Sequence, residues 1–136
     1  MTKSDTPLAA VHSYVDAFNR GDGDGMAACF VAQGSILDGM APHLWFGPNA
    51  ASDWYRDVLA EGEHLDAGDY HATLGDPIHD NITGESAYLV VPASMTFRFK
   101  DRQITQTGAS FTFALTKQDD IWRIAAWSWA KGKAQG

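Results

Sequence analysis

Thiols are almost absent from this chain, which has a single cysteine, Cys29. No intramolecular disulfide can form, so the fold must hold through its core, and a reducing, cytoplasmic setting is expected. Cys29 lies in an apolar stretch, where a buried small hydrophobe is the simplest role. Long apolar runs are missing too. Nothing reaches the ~20 residues needed to cross a bilayer, and "MTKSDTPLAA" holds no signal-peptide run. Cations are scarce: 10 Lys and Arg stand against 17 Asp and Glu, a net charge of −7. Nucleic acid and anionic membranes are therefore not expected partners, because phosphate binding takes clustered cations. The one basic cluster, Arg98, Lys100 and Arg102, reads as a solvated hairpin tip.

Common catalytic motifs are also lacking. There is no GxSxG elbow for a nucleophilic serine, and no glycine-rich loop follows a strand to cradle phosphates. The five histidines (His12, His43, His64, His71, His79) include no i,i+4 pair on a convincing helix. Neither a metal nor a cofactor is expected.

What remains is a globular composition. The 136 residues, 45% hydrophobic, suffice for one domain with a real core, spanning 1–136 with a frayed tail at 131–136. Five tryptophans and 12% aromatics exceed what a small core needs. Some of them should line a cavity or an interface.

Thr6-Pro7 marks a helix start, and Leu8, Val11, Val15 and Phe18 form one apolar stripe that Gly21 ends. Tyr14 shares that face. Asp24 is placed to cap a short second helix carrying Met26, Cys29 and Phe30, which Gly34 breaks. "SILD" is a short strand, and 39–48 is expected to be a loop. Asn49 opens a third helix with Ala51, Trp54, Tyr55 and Val58 inward, closed by Gly62.

The period then changes to two, and strands are expected at about 69–78, 86–99, 103–117 and 121–130. Pro92 implies an edge or a bulge. If Phe111 and Phe113 point inward, so do Thr107, Ala109 and Leu115. Trp122 and Ile124 then share one face of the last strand, and Trp127 and Trp129 the other, with one pair expected at a subunit interface. Segregated helices and a mainly antiparallel, strongly curved sheet make the fold α+β, with a conical cavity inside.

Two polar residues face that cavity. Tyr14 lies on the inward face of the first helix. Asp38 ends the strand "SILD". A carboxylate in an apolar cavity has its pKa raised, which suits a general base or acid, and a nearby phenol can donate to an enolate oxygen. The alternatives are a core tyrosine with a satisfied hydroxyl and a strand-end carboxylate that caps backbone N–H groups.

The stretch "YVDAFNRGDGDGMAACF", the "DG" at 38–39 and "AASDWY" resemble the first half of the NTF2-like superfamily, including its SnoaL-like members. Residues 7–55 are similar to Δ5-3-ketosteroid isomerase without a gap, and "YVxAxNxGDxDG" matches from Tyr14 to Gly25. "WRI" at 122–124 fits the superfamily's last strand. The resemblance implies a cone-shaped fold with one cavity per chain and a homodimer through the outer sheet face. It places the oxyanion-hole tyrosine on Tyr14 and the catalytic base on Asp38, an enzyme that is itself a standard example of pKa tuning.

This sequence departs from the isomerase at two points. Gly39 replaces a proline after the base. Ala109 stands where a second oxyanion donor is expected, two residues before Phe111 and Phe113. Losing such a donor removes roughly 3–4 kcal/mol of transition-state stabilisation.

The expected ligand is a small apolar carbonyl compound contacted by Phe18, Trp54, Tyr55, Ala109, Phe111 and Phe113. Isomerase-like or cyclase-type proton transfer competes with a non-catalytic ligand-binding or dimerisation module. Dehydratase chemistry of the scytalone type would use a histidine with an acid, for which His43 and His71 are the candidates.

Overall fold

The computed structural model describes residues 5–135. Helix α1 runs Pro7–Arg20. Thr6 Oγ1 accepts a hydrogen bond from the Ala9 N–H at 3.0 Å, and Gly21 ends the helix at φ 71°, a left-handed turn that glycine takes without strain. Val11, Tyr14, Val15 and Phe18 are buried along one stripe, as their spacing requires.

The short helix α2 spans Gly23–Ala28 and is capped by Asp22, not Asp24. Asp22 Oδ1 accepts from the Gly25 N–H at 2.9 Å. A Cβ on Gly25 would come within 2.5 Å of the Asp22 carboxylate, so the cap needs a glycine there. The helix stops before Phe30, which instead begins strand β1, Phe30–Asp38. Gly34, expected as a helix breaker, lies inside that strand, where a Cβ would strike the Phe30 ring.

Residues 39–48 are not all loop. Strand β2, Leu44–Gly47, folds back on β1 with Ile36 opposite Trp45 and Leu37 opposite Leu44. Helix α3, Ala50–Leu65, continues past Gly62 and closes at Asp66 with φ 56°. Gly62 is instead a point of close approach. A Cβ there would lie 2.7 Å from the Ala67 carbonyl and 2.9 Å from the Tyr70 hydroxyl.

The remaining strands are β3 (Ala67–Leu74), β4 (His79–Thr83), β5 (Ser86–Phe99), β6 (Arg102–Gln118), β7 (Ile121–Ala130) and β8 (Lys133–Gln135). The sheet order is β2-β1-β7-β6-β5-β3, with β4 on β5 and β8 on β6. Among the described residues only β1 and β7 pair in parallel. The fold is the expected α+β cone, a curved, mixed sheet against three helices. Residues 133–135, expected in a frayed tail, pair instead with Thr105–Thr107. Among the described residues no helix is long and apolar enough to cross a membrane.

Bulges shape the sheet. In β6 three steps from Gln106 to Ala109 oppose two in β5, and Gly108 takes φ 79°. The extra residue swaps the faces of β6, so Gln106 points into the concave side and Thr107 is exposed. In β7 the register slips around Ala125. Trp122, Ile124 and Trp127 therefore all join one core, with Trp129 partly buried against it. Pro92 sits where β5 exchanges β4 for β3 as neighbour, and β5 slips register just beyond it. Arg98, expected at a solvated tip, is held by Asp66 at 3.0 Å and Asp69 at 3.3 Å.

Candidate functional site

The helices and the concave face of the sheet enclose a cavity of about 390 Å³. Its length follows α3, where Trp54, Val58, Glu61 and Leu65 recur every three or four residues along one side. Alternate residues of β5, Met95, Phe97 and Phe99, form the facing wall. Tyr14, Val15 and Phe18 of α1 close one side, and Phe111, Trp127 and Trp129 another.

Tyr14 is 1% exposed. The Trp127 indole N–H donates to its hydroxyl oxygen at 2.9 Å. An indole nitrogen can only donate, so the direction of this bond is unambiguous and the phenol keeps its own proton for another acceptor. Burial pushes the Tyr14 hydroxyl far above its ordinary pKa, while the Trp127 bond opposes that shift. Tyr14 is therefore a neutral donor throughout the physiological range.

Asp38 ends β1 half-buried at the same cavity. Its Oδ1 accepts from the Gly39 N–H at 2.8 Å, and its Oδ2 from the Trp54 indole N–H at 2.9 Å. Burial raises its pKa above the usual carboxylate value. The bonds from Trp54 and Gly39 and the nearby His43 ring pull the other way. Both polar groups thus carry an indole donor, and the two indoles touch edge to face at 4.8 Å.

Of the residues singled out in the sequence, the structure gathers Tyr14, Phe18, Asp38, Trp54 and Phe111 on this wall. Tyr55, Ala109 and Phe113 do not line it. Tyr55 borders a separate pocket of about 250 Å³ beside Gly21 and Asp69. Ala109 and Phe113 are buried in the core. His43 and His71 are both exposed and outside the cavity wall, though His43 Nδ1 lies 3.1 Å from the Asp38 carbonyl oxygen.

Not anticipated from the sequence as cavity residues are Glu61, Tyr70, Gln106 and the β5 aromatics, and alternation alone leaves open which tryptophan pair of the last strand faces the cavity. The α3 members follow from extending the Trp54–Val58 spacing by two turns, and Phe97 and Phe99 from strand alternation. Gln106 and Trp127 lie behind bulges, where alternation fails.

The ionisable side chains on the wall, besides the two tyrosines, are Asp38 and the exposed Glu61. Among the described residues no Lys, Arg or His lines it. Anionic ligands find no counter-charge there. Among the described residues no group of three His, Cys, Asp or Glu is arranged to hold a metal ion.

Comparison with solved structures supports the fold alone. A ketosteroid isomerase-like protein from Erwinia carotovora atroseptica superposes with a TM-score of 0.71 at 19% identity, over 94% of this chain and 95% of that one. A hexachlorocyclohexane dehydrochlorinase from Novosphingobium barchaimii gives 0.77 at 10% identity, over 94% and 88%. A protein of unknown function from Mycobacterium tuberculosis gives 0.74 at 21% identity, over 91% and 68%. No curated protein sequence matches the chain. The SnoaL-like domain matches residues 8–129, nearly the whole chain, and the protein therefore belongs to the SnoaL-like domain family of the NTF2-like superfamily.

Proposed function

We propose that the cavity binds a small, uncharged, mostly apolar carbonyl compound, and that Asp38 takes a proton from the carbon beside that carbonyl. In this reading the C–H electron pair forms a C=C bond, the carbonyl π pair moves onto oxygen, and the Tyr14 hydroxyl donates to the resulting enolate. The proton then returns at another carbon, or a leaving group departs. The observation that carries the proposal is that the Asp38 carboxylate and the Tyr14 hydroxyl line the same, mostly apolar cavity. A volume of about 390 Å³ falls in the range of small-molecule sites. The raised pKa of Asp38 brings a carboxylate base nearer to neutral pH. The dehydrochlorinase relative, by its name, removes a proton and a chloride, and the same pair of groups suits that kind of step.

The test is a thermal-shift screen of wild type and Asp38→Asn against flat aromatic ketones, steroid enones and aromatic polyketides. Deuterium uptake from D2O by any stabilising compound is then followed. Wild type is expected to exchange the α-hydrogen, and Asp38→Asn to bind while exchanging at least ~100-fold more slowly. Equal exchange by both proteins would dismiss Asp38 as the base. Stabilisation without exchange would favour a second reading, a ligand-binding module. That reading is favoured by Ala109, a buried methyl group where the isomerase resemblance calls for a second donor.

We also propose that two copies pair through the outer face of the sheet. There β1 and β2 turn Leu37, Leu44 and Phe46 outward, 50%, 57% and 66% exposed, beside the uncharged Ala126 and Ser128 of β7. Sedimentation should show a dimer that Phe46→Glu dissociates. A wild-type monomer at tens of micromolar would end that proposal.

A further inference from the structure

Two indoles stand side by side at the polar part of the cavity. Trp54 of α3 meets Trp127 of β7 at 4.8 Å and 89°, and Phe111 packs edge-on against Trp127 at 5.0 Å and 87°. Each indole has one N–H, and neither is left for a ligand. Trp127 donates to Tyr14 and Trp54 to Asp38. The rings wall the cavity while their nitrogens hold the two groups that face it.

The two bonds to the Asp38 carboxyl are unlike. The Gly39 bond comes from the next residue in an exposed turn, so it holds the carboxyl only to its own backbone. The Trp54 bond comes from a different element, and it ties the strand end to the helix that forms the cavity's long wall. Each carboxylate oxygen can accept about two hydrogen bonds, so Oδ2 retains a free acceptor site after Trp54 is bound. With Trp54 locked edge-on against Trp127, that oxygen has little freedom to turn.

We propose that Trp54 is a positioning residue for Asp38, its indole N–H aiming the carboxyl into the cavity and stabilising its charged form. The inference rests on the reading of Asp38 as the proton acceptor. A donor to the carboxylate opposes the effect of burial. Without it burial acts with less opposition, and Asp38 holds its proton to higher pH. The other titratable groups around Asp38 are Tyr14 from α1, His43 from the β1–β2 turn and Glu61 further along α3. Asp57, also on α3, is engaged by Trp45, and the Arg123 guanidinium of β7 is bonded to the Ala28 carbonyl. None of these donates to the Asp38 carboxyl.

The experiment follows the Asp38 carboxyl carbon by NMR in protein labelled with ¹³C-aspartate, across a pH series, with Asp38→Asn to assign the signal. Trp54→Phe is expected to raise the Asp38 midpoint by about one pH unit. Trp127→Phe removes an indole from the same aromatic cluster, but one bonded to Tyr14, and should move the midpoint by less than about 0.3 unit. In wild type the Trp54 indole N–H resonance should titrate with the same midpoint and lose that titration in Asp38→Asn. This last measurement needs no tryptophan variant to fold. An unmoved midpoint in Trp54→Phe, an equal shift in Trp127→Phe, or a pH-insensitive Trp54 indole would each overturn the proposal. No ligand is involved, so a failed ligand screen and a failed titration separate the two proposals.

Discussion

Helix α3 takes part in two indole–carboxylate hydrogen bonds that run in opposite directions. Trp45 of β2 donates to Asp57 of α3 at 2.8 Å, and Trp54 of α3 donates to Asp38 of β1 at 2.9 Å. Both bonds tie the helix to the β1–β2 hairpin, and both tryptophans are buried. Their acceptors differ. Asp57 lies outside the cavity wall with Arg56 3.7 Å away, whereas Asp38 faces a mostly apolar cavity whose wall carries no cation among the described residues. The same bond is a clamp in one place and part of a chemically poised group in the other. Low polarity and ligand access around the acceptor, and not the hydrogen bond as such, make Asp38 a candidate site residue.

The largest expected effect sharpens that contrast. Trp45→Ala and Trp54→Ala each empty a buried indole site and should cost about 3–5 kcal/mol in urea unfolding. Their costs should be alike, while only Trp54→Ala changes the stabilisation given by a cavity ligand. Altered ligand response in both would erase the distinction between clamp and site.

A smaller effect is expected from Asp57→Ala, which strands the Trp45 N–H and should cost about 1–3 kcal/mol without altering ligand binding. Chemical denaturation and a ligand titration check both halves of that expectation.

The smallest effect has the opposite sign. The folded-state pKa of Asp38 lies above its ordinary 3.8, so the native state binds more protons than the unfolded chain in that window. Stability from this group therefore falls as pH rises from the ordinary value through the raised one. Above that the cost of burying the charge is complete. Asp38→Asn removes this dependence, and its melting temperature relative to wild type should climb by a few degrees between acid and neutral pH. Site residues tuned for function are often replaced at a gain in stability. A flat difference across pH would mean that Asp38 is not perturbed by burial.

Much of this could be read from the residues, and what could not has identifiable causes. The first helix was legible because cap, proline, apolar stripe and terminal glycine all agree. The strands β5 and β7 were legible from period-two patterning. The β1–β2 hairpin was hidden because Pro42, Gly47 and Pro48 look like loop chemistry around only four strand residues. The cap of the second helix is ambiguous in the sequence because "GDGDG" offers two aspartates, and only the close contact between Gly25 and Asp22 distinguishes them. The facing of Trp127 was undecidable, since one extra residue near Ala125 reverses the alternation.

The sequence by itself determined the local elements with strong periodicity, the apolar stripe that carries Tyr14, and a chain poor in cations. These follow from side-chain order over a few residues and from composition. Only the tertiary structure decided which groups hold Tyr14 and Asp38. The Trp127–Tyr14 bond joins residues 113 apart in the chain, and the Trp54–Asp38 bond residues 16 apart. Such contacts depend on where bulges fall and how far helix and sheet approach. Both are set by the packing of the whole core, which no local pattern encodes.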